Sequence, residues 1–451
     1  MTSDVVVLGG GSAGYATALR AAALGMPVIL IESGNLGGTC LHRGCIPTKA
    51  LLQAAETADS VREACRYGIE ASMSGVSVDA LRSYREAVVG RLHKGLRGLI
   101  DASGITVVYG EGQVTGPREV TVDGLVIQGD YLVLSTGSSP RVPAGIQLSD
   151  RVVTSDGALD LSYLPDDVIV LGGGVIGCEF ASAWASLGVT VTVVEAQDKL
   201  LPGEDEFASK HLARAFRKRG IKTKTRAAVT EVIEDEDAVT VTLESGEQLE
   251  AAILLVAVGR GPNTQGFADA GIELQNGFVV TDERLRASVP GVYAAGDIVA
   301  GPQLAHRGYQ HGIFVAEDIA ECKPEVVDDR KIPRVAYSRP EVASVGLSET
   351  QARERYGNSV ETAVYDLAGN GKSQILGTSG GVKVVAVEGE IAGLHLVGDR
   401  VSELIGEAQA LVSLGVTAGA AAKLIHAHPT QSEALGEALM ALAGKPFHVH
   451  V

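Results

Sequence analysis

Two cysteines stand close together near the start of the sequence, in GGTCLHRGCIPTK at residues 37–49. Cys40 and Cys45 are separated by four residues, in a chain that has only five cysteines among 451 residues. In disulfide exchange, one sulfur of such a pair meets the substrate and the other passes electrons onward. A structural zinc site is the weaker interpretation, because it requires four soft ligands. The pair therefore predicts a redox-active disulfide that opens and closes repeatedly.

A second candidate for chemistry lies near the C-terminus, in HAHPTQSE at residues 426–433. Proline is favourable in the first turn of a helix, so a helix is predicted to begin at Pro429, with His428 at its mouth and Glu433 about one turn in. A carboxylate bonded to an imidazole orients it and stabilises its charged form, and such a histidine is a suitable general base for a thiol. A cap or a surface position is the alternative for His428. His426 has no evident orienting partner and is predicted to be structural.

The rest of the composition is typical of a globular protein with a large core, at 45% apolar and 21% charged residues. A net charge of −17 argues against a nucleic-acid partner, which would require a basic face. Neither a signal peptide nor an apolar run near the ~18 residues of a membrane span is apparent, so a cytoplasmic location is expected. The isolated cysteines Cys65, Cys178 and Cys322 are predicted to be small core residues.

An internal repeat organises the first part of the chain. Residues 4–14 (DVVVLGGGSAG) return as residues 167–177 (DVIVLGGGVIG). Three glycines recur in register between the two copies, and the two sets are Gly9, Gly11, Gly14 and Gly172, Gly174, Gly177. In both copies a second apolar strand follows and ends in an acid, Glu32 or Glu195, which keeps the same register as the glycines.

This pattern is the fingerprint of a dinucleotide site. The first glycine permits a tight turn, the second lets the backbone approach a pyrophosphate, and the third lets the helix pack on the strand. The N-terminus of the helix then holds the phosphate charge, and the acid binds a ribose hydroxyl. Two ordinary βαβ turns without a ligand are the alternative, but that interpretation requires the whole pattern to occur twice by chance. The repeat therefore predicts two dinucleotide sites.

The identity of each dinucleotide follows from its neighbours. The first repeat leads into the cysteine pair, so its ligand should exchange electrons with sulfur, which favours FAD, and the second site then takes a nicotinamide nucleotide. Glu195 would repel a 2′-phosphate, and no arginine follows at Ala196 or Gln197. These features favour NAD over NADP, although Lys199 is nearby.

Further strands surround the repeats. Residues 131–137 and 253–259 are nearly continuous apolar runs that end in glycine, as in buried parallel strands. Residues 292–297 form another strand and turn that ends at Asp297, where a ligand contact or a simple turn cap would fit equally well. The C-terminal part has no glycine fingerprint. It alternates predicted antiparallel strands (334–347, 381–387, 391–397) with predicted helices (349–356, 402–414, 432–442).

Taken together, these residues resemble the flavin-dependent pyridine nucleotide–disulfide oxidoreductase family, and within it the branch that oxidises dihydrolipoamide. The likeness covers nearly the whole chain and rests on the segments 9–14, 37–49, 135–137, 172–179, 259–263, 296–297 and 428–433. Leu304-Ala305-His306 is similar to this branch. Residues 307–312 (RGYQHG) depart from it, since the branch usually has smaller residues and an acid before the glycine.

The resemblance implies a role for each matching residue. Cys40 would exchange with substrate, Cys45 would face the flavin, and His428, oriented by Glu433, would act from the other subunit of a homodimer. FAD contacts are implied for Glu32, Lys49, Thr136, Gly137 and Asp297, and NAD contacts for Gly174, Glu179, Glu195 and Gly259. Cofactor contacts are also implied for the other glycines of both repeats and for Thr39, Gly112, Ser138 and Ala305.

The implied fold is α/β, with two Rossmann-like dinucleotide-binding domains for FAD and NAD plus a C-terminal α+β dimerisation domain. The expected boundaries are 1–145 (FAD domain, first part), 146–265 (NAD domain), 266–331 (completing the FAD domain) and 332–451 (interface domain). The implied activity is oxidation of protein-bound dihydrolipoamide by NAD+. The implied partners are lipoyl carrier proteins of 2-oxo acid dehydrogenase or glycine cleavage complexes, without metal, membrane or nucleic acid.

Two alternatives remain open at this point. One is an NAD(P)H-dependent reductase of a small disulfide, such as mycothione or glutathione disulfide. Glu195 and residues 304–306 weigh against its NADPH-linked forms. The other is a flavoprotein that serves a dehydrogenase complex mainly as a structural component. The presence of Cys40, Cys45, His428 and Glu433 weighs against that one.

Overall fold

Apolar runs rich in valine and isoleucine form most of the strands, because β-branched side chains suit a half-buried or buried pleated surface. The computed structural model describes residues 1–448. Its strands are β1 Thr2–Leu8, β2 Val28–Glu32, β3 Thr106–Tyr109, β4 Gly112–Gly116, β5 Glu119–Val122, β6 Leu125–Leu134, β7 Ser138–Pro140, β8 Val152–Val153, β9 Asp167–Leu171, β10 Thr190–Val194, β11 Lys222–Lys224, β12 Val229–Glu234, β13 Val239–Leu243, β14 Gln248–Ala251, β15 Ile253–Val256, β16 Arg260–Pro262, β17 Leu274–Gln275, β18 Phe278–Val279, β19 Val292–Ala294, β20 Arg334–Ala336, β21 Glu341–Gly346, β22 Val360–Asp366, β23 Gly381–Val387 and β24 Glu390–Gly398.

Several helices begin after residues whose side chains accept a backbone N–H of the first turn. Ser77 caps the longest helix, and Ser348 with Gln351 forms a capping box at another. The helices are α1 Ser12–Ala23, α2 Gly38–His42, α3 Cys45–Glu63, α4 Val78–Ala102, α5 Ser155–Asp160, α6 Val175–Leu187, α7 Glu206–Lys218, α8 Ala305–Ile319, α9 Glu349–Tyr356, α10 Gly371–Leu376, α11 Val401–Ser413, α12 Ala418–Ala421 and α13 Glu433–Leu442. Within the described part of the chain, none of these helices has the length and apolarity to cross a bilayer.

Each of two compact units is assembled from separate stretches of sequence. The first unit contains residues 1–51, 77–141 and 259–329, and the second contains residues 52–76, 142–258 and 330–451. The first repeat belongs to the first unit, and the second repeat belongs to the second unit together with the C-terminal region.

The first unit is built on a seven-stranded sheet with the order β3-β2-β1-β6-β5-β4, and β19 also pairs with β6. The glycine-bearing strand β1 lies between β2 and β6, parallel to both. The side chains of its second half are buried in a core that also takes residues from β6, β19 and α8. The carboxyl ends of β1, β2 and β19 therefore meet at one edge of the sheet, where parallel α/β sheets bind their ligands.

The second unit repeats this arrangement. Its five-stranded parallel sheet has the order β11-β10-β9-β15-β8, so the glycine-bearing β9 again lies between its neighbours. Even the register is the same, because Val5 pairs with Val28 in the first sheet and the corresponding Val168 pairs with Val191 in the second. The repeat seen in the sequence is thus a repeat of backbone hydrogen bonding.

The C-terminal region of the second unit is an α+β layer. Its antiparallel sheet has the order β20-β21-β24-β23-β22, and α11 and α13 pack on it through a core of aliphatic residues. The predicted α/β fold class is therefore confirmed, including the change to antiparallel pairing after residue 332. The predicted stretch 334–347 is two strands, β20 and β21, which pair antiparallel.

Two expectations were wrong. Cys178 is buried as predicted, but Cys65 and Cys322 are exposed. Cys65 lies in a short 3-10 helix directly after α3, and Cys322 lies just past the end of α8. The helix predicted to begin at Pro429 begins instead at Glu433. In the loop before the helix, side chains bond to backbone polar groups. The Thr430 hydroxyl, for example, donates to the Ala427 carbonyl.

Candidate active site

The cysteine pair lies at the junction of α2 and α3. Gly37 and Gly38 precede it with φ of 105° and 58°, a region that suits glycine. A Cβ on Gly38 would lie 2.7 Å from the Cα of Gly11, so only glycine lets this turn approach the start of α1. Cys40 lies in α2 and Cys45 is the first residue of α3. Both are half-buried thiols, and the two sulfurs are hydrogen-bonded to each other.

The electrostatic setting differs between the two sulfurs. The hydrogen bond with Cys45 and burial together raise the pKa of Cys40 far above its ordinary value, while the Tyr309 hydroxyl and the Lys49 ammonium act in the opposite direction. Cys45 lies at the N-terminus of the 19-residue helix α3, where the helix dipole favours a negative charge. The arrangement therefore favours the thiolate on Cys45 and the protonated thiol on Cys40.

The first glycine loop has the geometry that a pyrophosphate requires. Gly9 turns the chain at φ 100°, and a Cβ on Gly14 would lie only 1.7 Å from the Gly9 carbonyl oxygen. Gly11 is different, because a Cβ there would meet only the Gly38 Cα, at an ordinary 3.8 Å. The Glu32 carboxylate accepts the backbone N–H groups of Gly10 and Gly34, at 2.6 Å and 2.7 Å.

The second glycine loop repeats these contacts. Gly172 has φ 113°, and a Cβ on Gly177 would lie 1.9 Å from the Gly172 carbonyl oxygen. A Cβ on Gly174 would meet nothing within 4 Å. The Glu195 carboxylate accepts the N–H groups of Gly173 and Gln197, at 2.6 Å and 2.7 Å.

Both loops therefore fit a dinucleotide. Turn geometry explains the first glycine of each loop, and helix packing explains the third. The middle glycines, Gly11 and Gly174, have room for a Cβ, so packing within the protein does not require glycine at these two positions. Each opens onto the N-terminus of a helix, α1 or α6, where a phosphate is electrostatically favoured. A carboxylate that accepts two N–H bonds still has lone pairs for ribose hydroxyls.

Two predicted residues of the second loop have partners in the same unit. The Glu179 carboxylate is buried and accepts the backbone N–H of Tyr337 at 3.0 Å. The Lys199 ammonium donates to the carbonyl of Glu204 at 2.7 Å, so this cation is already engaged. This engagement supports the predicted preference for NAD over NADP.

The segment after β6 is joined to the segment after residue 258. Thr136 donates to the Asn263 carbonyl at 2.5 Å, and the Asn263 amide donates to the Thr136 carbonyl at 3.0 Å. Ser138 donates to the Asp297 carboxylate at 2.6 Å, and Asp297 lies in a short turn directly after β19. Gly137 and Gly259 both have positive φ and face open space. The structure thus brings Thr136, Gly137, Ser138, Gly259 and Asp297 together in the first unit.

The remaining predicted cofactor residues occupy the same unit. Thr39 is exposed in α2, Lys49 lies in α3 near Cys40, and Ala305 begins α8. Gly112 begins β4, where a Cβ would lie 2.6 Å from a methyl of Leu8, so this glycine is required by packing. Among residues 1–448, no group of three or more His, Cys, Asp or Glu side chains is placed to hold a metal ion.

The predicted pair of His428 and Glu433 near the C-terminus is present in the second unit. The Nδ1 atom of His428 lies 2.9 Å from Glu433, the first residue of α13. The His428 side chain is 78% exposed, and the neighbouring Ile425 is 98% exposed. His426 also has an orienting partner, contrary to expectation, because its Nε2 lies 2.8 Å from Glu407 of α11.

Comparison with known proteins identifies the family. The family model for pyridine nucleotide-disulphide oxidoreductases matches residues 3–312, and the model for their dimerisation domain matches residues 332–439. The chain belongs to this family. It is 37% identical to a dihydrolipoyl dehydrogenase of Bacillus subtilis over 99% of both chains. It is 36% identical to the mitochondrial dihydrolipoyl dehydrogenase of Pisum sativum, over 99% of this chain and 93% of that one.

Solved structures of the oxidoreductase family have the same fold. LpdA of Mycobacterium tuberculosis superposes with a TM-score of 0.91 at 28% identity, over 98% of this chain and 99% of that one. The HOCl-induced flavoprotein disulfide reductase RclA of Escherichia coli, as a Cu(II) complex, gives a TM-score of 0.88 at 28% identity, over 98% of this chain and all of that one. The dimerisation domain supports a homodimer for this oxidoreductase.

Several residues around the site of this oxidoreductase were not identified from the sequence. The rings of Tyr15 and Tyr309 contact each other, and the unusual segment 307–312 was a signal for Tyr309 but not for Tyr15. Arg307 is buried, forms an ion pair with Asp329 at 2.7 Å and donates to the Ala300 carbonyl, so it holds the loop that follows Asp297. The partner of His426 gave no signal, because Glu407 lies on a different helix.

Proposed function

We propose that this chain oxidises dihydrolipoamide to lipoamide and passes the electrons to NAD+. The observation that carries the proposal is the 37% identity with a dihydrolipoyl dehydrogenase over 99% of both chains. The site is consistent with it, because the Cys40–Cys45 dithiol and the two dinucleotide loops supply each part that the reaction needs.

Cys40 and Cys45 have different roles in the proposed reaction. A thiolate of the substrate attacks Cys40, and Cys45 leaves with the electron pair of the broken disulfide. The second substrate thiolate then displaces Cys40 and closes the product disulfide, so one substrate dithiol is oxidised while the enzyme disulfide is reduced. When bound, FAD would supply the acceptor for this electron pair and the hydride for NAD+. Glu32, Lys49, Ser138 and Asp297 would hold the flavin nucleotide, and Glu179 and Glu195 would orient NAD.

The proton of the attacking thiol would go to His428 of the partner subunit. In a single chain this imidazole is 78% exposed next to an almost fully exposed isoleucine, Ile425, and a second copy would cover both. Glu433 holds the ring by Nδ1, which leaves Nε2 to accept the proton.

The proposed allocation of cofactors follows the two repeats. FAD is assigned to the loop at residues 9–14, with residues 1–145 and 266–331 as its domain, because this loop contacts the cysteine turn through Gly11 and Gly38. NAD is assigned to the loop at residues 172–177, within residues 146–265, and residues 332–451 form the interface domain. Lipoyl carrier proteins of 2-oxo acid dehydrogenase or glycine cleavage complexes are the proposed partners, and a cytoplasmic location stays a prediction.

Steady-state turnover of the purified protein tests the proposal. Dihydrolipoamide with NAD+ is compared with glutathione disulfide and mycothione, each with NADH or NADPH. Fast turnover of dihydrolipoamide supports the proposal, and faster turnover of a small disulfide would replace it with the reductase activity. A Cys45→Ser protein that still oxidised dihydrolipoamide at the full rate would contradict the scheme, and absent turnover with every substrate would indicate the structural role.

A further inference from the structure

The loop that carries His428 is largely exposed. It joins α12 to α13, and every residue within 423–429 except His426 is exposed to solvent. A segment with so few buried contacts opens easily. The His428 side chain is itself 78% exposed, so contacts made by neighbouring residues must contribute to its position.

His426 is the one anchored residue of that exposed segment. Its side chain is only 11% exposed, and its Nε2 lies 2.8 Å from the Glu407 carboxylate of α11. An ionised carboxylate can only accept a hydrogen bond, so the ring donates this bond from Nε2. The ring therefore ties the loop to α11.

The same ring packs on α13. A Cβ on Gly436 would lie 2.5 Å from the Nδ1 atom of His426, so an alanine at this position would push the ring away. Glycine within a helix costs ~1 kcal/mol relative to alanine, and close packing of this ring gives a reason for it here. Gly436 lies three residues after Glu433, on the same face of α13, and Glu433 is the residue that bonds His428.

We propose that His426 is a positioning residue, which holds the loop against α11 and α13 so that the His428 ring stays bonded to Glu433. The role of His428 as the base rests on the proposed function. Only Ala427 separates the two histidines, so at most about 7 Å of chain joins the anchored residue to the base.

The chain after His428 is held as well. The Thr430 N–H donates to Glu433 at 2.8 Å, and the Thr430 hydroxyl donates to the Ala427 carbonyl at 2.6 Å. His426 supplies the matching restraint on the side that precedes the base. A base must lie within hydrogen-bond reach of its proton, and a misplacement of about 1 Å can lower a rate by about 100-fold.

Steady-state oxidation of dihydrolipoamide by the full-length flavoprotein tests the proposal. Glu407→Ala removes the acceptor for His426 and should lower kcat about tenfold, with KM within about twofold of wild type. NADH oxidation with an artificial acceptor does not need the base and should be unchanged. Glu407→Gln keeps an oxygen that accepts the Nε2 bond and should recover most of the lost rate. Gly436→Ala displaces the ring from the other helix and should lower kcat in the same way.

Two comparisons separate positioning from general structural damage. Glu403→Ala changes an exposed carboxylate one turn earlier on α11 and should keep the wild-type rate. In a Glu433→Gln background, Glu407→Ala should lower kcat by less than about twofold further, because residues that act through one pair have non-additive effects. A further loss of about tenfold in that background would overturn the proposal.

A weakened dimer would also lower the rate, so kcat is measured at a series of enzyme concentrations. A loss caused by a misplaced base is the same at every concentration. A loss in Glu407→Ala that disappears at high concentration would show that Glu407 acts on assembly, and it would overturn the proposal.

Hydrogen exchange of the Thr430 backbone N–H measures the anchoring without substrate. Since this N–H donates to Glu433, it should exchange about tenfold faster in Glu407→Ala than in wild type, and Glu403→Ala should leave it unchanged. Unchanged exchange in Glu407→Ala, or faster exchange with unchanged kcat, overturns the proposal. If the wild-type protein does not oxidise dihydrolipoamide, the proposed function fails, and exchange still decides whether His426 holds the loop.

Discussion

The Nδ1 atom of His428 lies 2.9 Å from one carboxylate oxygen of Glu433, and the other oxygen accepts the backbone N–H of Thr430 at 2.8 Å. Burial raises the pKa of the Glu433 carboxyl, but the bonds from Thr430 and His428 outweigh it, so the net pKa is lowered. The carboxylate is therefore charged at neutral pH, fixes the imidazole ring by Nδ1 and stabilises the imidazolium that forms when Nε2 takes a proton.

Glu433→Gln should lower the turnover of dihydrolipoamide about 100-fold, within the range of general acid–base effects. The amide cannot stabilise an imidazolium, although it keeps the shape of the side chain. The rate of NADH oxidation with an artificial electron acceptor, which does not need the base, should stay near the wild-type rate. Steady-state kinetics with both acceptors measure the difference.

The matched control for this prediction is Glu437→Gln. Glu437 lies one turn further along α13 and pairs with His448 at 2.7 Å, so it is a second carboxylate–imidazole pair on the same helix. Glu437 is buried, but the amide keeps the size of its side chain and Glu437 takes no part in the proposed chemistry, so we expect turnover within about twofold of wild type. Equal losses in both variants would contradict a catalytic role for the His428–Glu433 pair.

Substitution of two glycines in the second loop should have different effects. Gly174→Ala should weaken NAD binding, and Gly177→Ala should destabilise the fold. Gly174→Ala places its methyl in open space, so the melting temperature should stay near wild type while the KM for NAD rises about tenfold. Gly177→Ala places a methyl 1.9 Å from the Gly172 carbonyl oxygen and should destabilise the protein by about 3 kcal/mol. Thermal unfolding and NAD titrations distinguish the two, and a Gly174→Ala protein with unchanged KM would argue against a phosphate at this loop.

Glu195→Gln should raise the use of NADP relative to NAD by about tenfold, because it removes a negative charge that repels the 2′-phosphate. The Glu195 carboxylate also accepts two N–H bonds, so the ratio of kcat/KM values is the proper measure. Glu32→Gln is the same change at the matching position of the first repeat, and it should leave the ratio unchanged while it weakens flavin retention. A ratio that moved equally in both variants would exclude Glu195 as the selective acid.

Lys383→Met should lower the free energy of unfolding at pH 7 by about 3 kcal/mol, because it leaves a buried carboxylate unpaired. The Lys383 ammonium lies 2.8 Å from Asp205, and both side chains are buried. Burial opposes ionisation of Asp205, but the bond from Lys383 outweighs it together with the nearby His395 and two backbone N–H bonds, and the pKa is held at about 2. The stabilisation by this pair is therefore full above about pH 4, the unfolded-state value, and is lost as the pH falls through about 2.

Without the lysine, Asp205 loses the strongest bond to its charged form and its pKa rises, so the deficit of the variant should shrink as the pH falls toward 2. Urea unfolding at a series of pH values measures this. Lys210→Met removes an exposed pair with Glu206 and should leave the free energy of unfolding nearly unchanged, with no such pH dependence. A pH-independent deficit in Lys383→Met would show that the loss comes from packing alone.

The sequence predicted what depends on local chain geometry. The two glycine loops, their strands and their terminal acids were correct because turn angles, helix packing and strand period act within about 30 residues. The identical register of Val5–Val28 and Val168–Val191 confirms the repeat at the level of backbone hydrogen bonds. The helices predicted at 349–356 and 432–442 were also found within one residue of those bounds.

Contacts between distant parts of the sequence could not be predicted. The bonds of Glu407 to His426 and of Asp205 to Lys383 each join separate elements, and no spacing rule connects them. Pro429 was wrong as a helix start, because the Glu433 carboxylate accepts the Thr430 N–H ahead of the helix, although the predicted stretch 432–442 matches α13 to one residue. The helix α4 and the strand β22 were not predicted either.

The acids Glu32 and Glu195 each fasten two N–H groups of their own loop through bonds made within the protein. The loops are thus pre-organised, and an arriving dinucleotide loses less affinity to the ordering of the protein. The two hydrogen bonds of Glu195 also limit how the preference between NAD and NADP can change in evolution. Any substitution that removes the selective charge at Glu195 also loosens the loop, so a switch toward NADP needs a second change that restores the two lost bonds.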